Sequence, residues 1–202
     1  MSASGHRVRD VRNGRSILSI STKPDRRIAR TRQDVVAAFR ALLFERGYAR
    51  VTVRGIIERA NIGRSTFYEH FQNKEEVLHE TLAFVLTPLA DTIAANRSQA
   101  SLEMVVEHMW ESRAQTAVIL LGPSRPVVHR FLAALFEERI ASLRARRRDA
   151  VPLLPVRHIA AYLAESQLAL VSTWLGDDAC SPATLARALF VTTNAAANAL
   201  LA

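Results

Sequence analysis

The seven residues RSTFYEH gather Arg64, Ser65, Thr66, Tyr68 and His70 around one large apolar side chain, Phe67. Their chemistry is recognition rather than bond-making. An arginine can reach the edges of bases, while hydroxyls and the nearby Lys74 suit phosphate oxygens. The small residues Gly63, Ser65 and Thr66 let the backbone come close to another molecule. No Gly-rich phosphate loop, nucleophile elbow or carboxylate dyad occurs in the chain. His108 with Glu111 and His158 with Glu165 have the residue types of metal or acid–base pairs, but neither has a third ligand at short spacing. The expectation is therefore no catalytic residue, no metal and no cofactor.

Two short helices must position this set. VTVRGIIERAN reads as a helix over 52–60 with Thr52 as its N-cap, and Val53, Ile56, Ile57 and Ala60 on its buried face. NIG makes a tight connection, and a second helix follows over 64–71, with Ile62, Phe67 and Phe71 facing inward. Helix, three-residue turn, helix is helix-turn-helix geometry. A longer helix from Pro24 and Asp25 should back the pair through Ile28, Val35, Phe39, Leu42 and Leu43, ending at Gly47. Arg26, Arg27, Arg30 and Arg32 cluster near its start. Asn73 and Glu76 form a capping box that opens a fourth helix, which Pro88 should bend or end.

Charge agrees with this placement. The 202 residues carry a net +8, and residues 1–80 hold 16 Lys/Arg against 9 Asp/Glu. The remainder is nearly neutral, so an anionic partner should meet the N-terminal part. Residues 1–24 show no sustained period and read as a disordered basic tail, either a plain extension or an arm that touches DNA. One cysteine, Cys180, excludes an internal disulfide and suits a reducing cytoplasm. The basic N-terminus lacks the apolar core of a signal peptide, and no run approaches the roughly 18 apolar residues of a membrane span. A cytoplasmic protein with no membrane partner is expected.

Beyond the fourth helix, apolar periodicity predicts helices over 98–122, from Val127 to about Arg147, over 156–175 up to Gly176, and from Ser181-Pro182 nearly to the last residue. No strand pattern or solenoid repeat appears. The fold class is all-α.

The stretch VTVRGIIERANIGRSTFYEHFQNKEEVL resembles the signature of TetR-type (TetR/AcrR-like) transcriptional regulators, and the resemblance covers about residues 26–80. It implies a three-helix helix-turn-helix head over 25–80, joined to an effector-binding and dimerisation domain over 81–202. It also implies a homodimer on a palindromic double-stranded DNA operator, released by a small-molecule effector. Residue by residue, Arg64, Ser65 and Thr66 stand where the recognition helix meets the groove. Tyr68, His70 and Lys74 match positions used mainly on the backbone, and Thr52 and Arg54 match the start of the supporting helix. Three positions depart from the pattern: Asn61 replaces the usual turn glycine, Gly63 a common capping serine, and Gly55 a residue that is often acidic.

In the second half, Ile159, Leu163, Leu170, Val171 and Trp174 on one helix and Leu185, Leu189, Ala196 and Leu200 on the next could form a four-helix dimer interface. The alternative is that both helices are buried in a monomer core. A ligand pocket should lie between the middle helices, with Phe84, His108, Met109, Phe131, Tyr162 and Gln167 as candidate lining. The expected function is a sequence-specific regulator, a repressor that leaves its operator when an effector binds. The alternatives are a protein that binds DNA without sequence choice, and a helical ligand-binding protein or enzyme with a basic N-terminus.

Overall fold

The computed structural model describes residues 23–94, 99–146, 151–177 and 179–201. Among them every regular element is helical: α1 (Lys23–Arg46), α2 (Val53–Ala60), α3 (Arg64–His70), α4 (Lys74–Asp91), α5 (Gln99–Glu111), α6 (Arg113–Leu120), α7 (Arg125–Arg146), α8 (Val156–Gly176) and α9 (Pro182–Leu200). A single 3-10 turn, Tyr48–Arg50, joins α1 to α2. No single helix among the described residues is long and apolar enough to cross a membrane. The tail expected over residues 1–24 lies outside the described residues, apart from Lys23 and Pro24, which open α1.

The local signals act where they were expected. Gly47 takes a φ of 73° as α1 stops, a conformation that costs glycine little. Thr52 caps α2 by accepting the Gly55 amide at 3.1 Å, and Ser181 caps α9 by accepting the Thr184 amide at 3.2 Å, with Pro182 in the first turn. Asn73 accepts the Glu76 amide at 3.0 Å, but the Glu76 carboxylate reaches back to the amide of Gln72 at 2.7 Å, one residue before the cap.

Three details differ from the simplest reading of the sequence, for physical reasons. Ile28 is 47% exposed, because the first turns of α1 extend past the helices that bury Val35, Phe39, Leu42 and Leu43. Of the two outcomes expected at Pro88, a bend or an end, the end is not seen there, and α4 continues to Asp91. It forfeits one bond, to the carbonyl of Phe84, and burial of Leu86, Leu89 and Ala90 outweighs that loss. Within the segment expected over 98–122, the described residues form two helices, Gln99–Glu111 and Arg113–Leu120, since the chain breaks at Ser112.

Packing assembles two groups. α1 backs α2 and α4, burying Ile56, Phe67, Phe71 and Val77 around Phe39. The long helices α7 and α8 pack together, α4 lies along α7, and α5 and α8 pack on α9. α4 belongs to both groups. At its far end Gln167 of α8, itself buried, donates to the Leu89 carbonyl at 3.1 Å and contacts the hydroxyls of Thr92 and Thr193 at 2.9 Å each.

Candidate functional site

The turn between α2 and α3 is made by Asn61, which sits in the left-handed region (φ 51°, ψ 48°), one of the few non-glycine types that tolerate it. Its neighbour Ile62 donates its amide to the Ile57 carbonyl at 3.3 Å, folding the chain back on α2. α3 is then fixed by Phe67, which is fully buried, and Phe71, whose ring lies 5.9 Å from it. Burying one such ring contributes about 1.5–3 kcal/mol. With that side anchored, Arg64, Ser65, Tyr68 and Glu69 face outward; Thr66 and His70 are half-buried flanks. The Arg64 guanidinium lies 5.7 Å from the centre of the Tyr68 ring, and Tyr68 is 48% exposed. A guanidinium held on an aromatic face keeps its donor fork free for a base edge or a phosphate.

The supporting helix adds less free charge than its sequence suggests. Arg54 is exposed, but its Nε donates to Glu58 at 2.7 Å along the same helix. A surface pair of this kind is weak and exchanges readily for a phosphate. Arg59 forms a two-pronged bond across to Glu45 of α1, at 2.6 and 3.1 Å, tying α2 to the first helix. That hydrogen bond holds the Glu45 carboxyl below its ordinary range. Thr52 is exposed at the start of α2 even while it caps.

Lys74 is placed otherwise. Its ammonium donates to the carbonyls of Tyr48 and Val51 at 3.1 and 3.0 Å and sits 4.4 Å from the Tyr48 ring centre. It therefore closes the 3-10 turn onto the start of α4 rather than standing free. Burial raises the pKa of the Tyr48 hydroxyl, and Glu75 adds to the shift. Sequence reasoning also missed Arg32. Its Nε donates to Glu80 at 3.1 Å, its Nη2 reaches the other Glu80 oxygen, and its Nη1 donates to the carbonyl of His70 at 3.2 Å. The guanidinium lies 4.7 Å from the Phe71 ring centre. α1, the end of α3 and α4 are thus held by one side chain. In the sequence Arg32 is only one of a cluster of arginines near the start of α1, with nothing local to show this clamp.

A second site lies where α1 meets α4, α5, α6 and α7. A cavity of about 590 Å³ opens there, walled by Arg40 and Phe44 from α1, Thr81 to Leu86 of α4 excepting Ala83, and His108 and Met109 of α5. Ser112, Gln115, Thr116, Ile119 and Leu120 close it below, with Val128 of α7. Of the six expected lining residues, Phe84, His108 and Met109 are here. The rings of Phe84 and His108 meet edge to face at 5.9 Å. Phe131 instead meets His79 edge to face, Tyr162 is 54% exposed on α8, and Gln167 is occupied by the bonds to Leu89, Thr92 and Thr193. Arg40 and Phe44 were missed; Phe44 follows Leu43 and falls outside the apolar stripe of α1, and that departure was the available signal. Among the described residues no group of three or more His, Cys, Asp or Glu is placed to hold a metal ion. Glu165, paired in sequence with His158, accepts instead from Arg125 at 2.6 and 3.2 Å.

Residues 35–81 match the model of the bacterial regulatory proteins of the tetR family. The uncharacterized HTH-type transcriptional regulator YxbF of Bacillus subtilis (strain 168) is 36% identical over 109 residues, which is 52% of this chain and 27% of that protein. The HTH-type dhaKLM operon transcriptional activator DhaS of Lactococcus lactis subsp. lactis (strain IL1403) is 40% identical over 48 residues, 24% of this chain and 26% of that protein. The chain thus spans about a quarter of the length of the curated relatives it matches. The fold is shared more widely. A TetR transcriptional regulator from Streptococcus agalactiae 2603V aligns over 84% of this chain and 97% of its own, with a TM-score of 0.53 at 23% identity. NalD, the secondary repressor of the MexAB-OprM multidrug efflux pump in Pseudomonas aeruginosa, aligns over 84% and 96%, with a TM-score of 0.51 at 20% identity. Each of these relatives is described as a transcriptional regulator, activator or repressor. In the sequence of its head, residues 35–81, the chain belongs with the tetR family of bacterial regulatory proteins, and the helices behind that head share the fold of TetR-type structures.

Proposed function

We propose that the chain is a cytoplasmic homodimeric repressor that binds a palindromic operator through α3 and leaves it when a small molecule occupies the cavity beside α1. The observation that carries the reading is the outward set on α3, with Arg64 over Tyr68 while Phe67 locks the opposite side into the core. Arg64, Ser65 and Thr66 would read or approach the groove. Tyr68, His70, Thr52 and Arg54 would meet the sugar–phosphate chain, and Lys74 would support this surface by fixing the loop behind it. A head at 25–80 and a body at 81–202 would be joined through α4. The exposed apolar residues Tyr162 and Leu170 of α8 and Val191 of α9 supply the dimer face. Two heads are needed because half-sites lie about 34–36 Å apart on one face of the duplex.

The test is a mobility shift with the DNA beside the protein's own gene, in the presence of excess unrelated competitor. A complex that survives competitor and footprints as two half-sites supports the reading. Equal loss to any competitor sinks it in favour of binding without sequence choice. Since DhaS is described as an activator, a reporter driven from the footprinted promoter decides the sign: expression that rises when the protein is removed is repression.

A further inference from the structure

We infer that the cavity beside α1 takes a small amphipathic anion, a carboxylate on a compact aromatic or aliphatic body, and that Arg40 holds its charge. This rests on the ligand-responsive reading above and adds to it the class of ligand and the residue that selects it.

Arg40 and Phe44 lie one turn apart on α1 and share the cavity wall. Among the described residues the Arg40 guanidinium has no hydrogen bond or ion pair. Its neighbours in the same region differ: Arg32, Arg59, Arg130 and Arg139 each hold a carboxylate. Among the described residues no Asp or Glu lines the cavity, and His108 is the only other ionisable side chain that does. The wall is therefore cationic or neutral, with a planar five-donor fork that fits a carboxylate in two-pronged fashion.

The rest of the lining fits the other end of such a molecule. Met109 and Ile119 are buried apolar surface, while Phe44 and Phe84 stay largely uncovered at the rim, 40% and 56% exposed. Large apolar side chains left open around a concavity are unusual for an isolated fold and are covered when a ligand body fills it. A cavity of about 590 Å³ holds a molecule of ordinary drug size. Because Arg40 sits on the helix that backs α2, the ligand's charge would act on the DNA-binding head itself, not only on the body.

The experiment titrates the full chain, without DNA, by calorimetry with 4-phenylbutyrate and octanoate and with their uncharged amides. The expected result is that each acid binds at least roughly tenfold more tightly than its amide. In Arg40→Gln the two should bind alike, at the affinity of the wild-type amide, and Arg40→Lys should keep part of the preference. Arg40 is exposed, so the variants should melt with the wild type. Acids and amides binding alike to the wild type, no binding of the acids, or a preference that survives Arg40→Gln overturns the proposal. A mobility shift with the same acids separates the two readings. Acids that bind through Arg40 yet leave the operator complex intact sustain the anion site and sink the effector reading. Release of DNA by neutral compounds alone, with acids inert, does the reverse.

Discussion

Arg32 and Glu80 close the space between α1 and α4 directly over the last turn of α3, and the same guanidinium bonds the His70 carbonyl. The orientation of the recognition helix is thereby tied to both long helices of the head. Arg32→Ala should lower stability by about 1–2 kcal/mol, since the pair is only partly buried and its charge is screened. Operator affinity should fall further than this change in stability explains. Arg32→Lys should not restore it, because a point charge cannot serve Glu80 and His70 together. Urea unfolding and operator titration on the same variants check this.

Arg64→Ala should weaken operator binding by about 1–3 kcal/mol and leave the melting temperature unchanged, because the side chain rests on an exposed ring rather than in the core. Tyr68→Phe should weaken it less, through loss of a hydroxyl contact to phosphate. Wild-type affinity in both variants would mean that α3 does not meet the DNA.

The two caps of the motif should respond in opposite directions. Thr52→Ala removes the bond to the Gly55 amide and should cost about 0.5–2 kcal/mol. Gly63, the cap of α3, has an ordinary φ of −72° and no side chain to bond with. A Cβ there would meet only Thr66 Oγ1 at 3.5 Å and Ser65 Oγ at 3.8 Å, ordinary contacts. Gly63→Ser should therefore stabilise the fold by a few tenths of a kcal/mol in thermal unfolding.

Leu170→Asp and Val191→Asp should yield monomers in sedimentation and abolish operator binding while the fold survives, since both positions are exposed in the single chain. A dimer that persists in both would place the interface elsewhere.

Glu165 gives a pH prediction. The hydrogen bond from Arg125 holds its carboxyl below the ordinary 4.5, against the opposing effect of burial. A lowered folded pKa means that the stabilisation is present above about 4.5 and is lost as pH falls through the folded value. Arg125→Gln should thus narrow the stability difference between pH 6 and pH 3, read as urea midpoints. An unchanged difference would show that the pair contributes nothing.

What the sequence revealed and what it hid divide along the range of the interactions. Thr52, Asn61, Asn73 and Ser181 act on amides two or three residues away, or on their own backbone, so type and spacing were enough. Lys74 looked like a phosphate ligand because nothing local shows that the 3-10 turn at Tyr48 leaves two carbonyls aimed at it. Phe131, Tyr162 and Gln167 lie away from the cavity beside α1 for the same reason: which face of a middle helix turns to which neighbour is decided by α7 and α8 together. Pro88 does not end α4 because the penalty it carries is local and the packing that overrides it is not.

Gln167 has a consequence for α9. In its second half the face that α9 buries narrows to Thr193 and Ala197, small side chains that on shape alone would oppose a slide by one turn only weakly. The buried amide of Gln167 forbids it. Sliding α9 would carry the Thr193 hydroxyl away, and sliding α4 would carry off Leu89 and Thr92, leaving a polar group stranded in a dry interior. One side chain thus works as a detent, fixing the axial position of three helices that hydrophobicity alone would let drift.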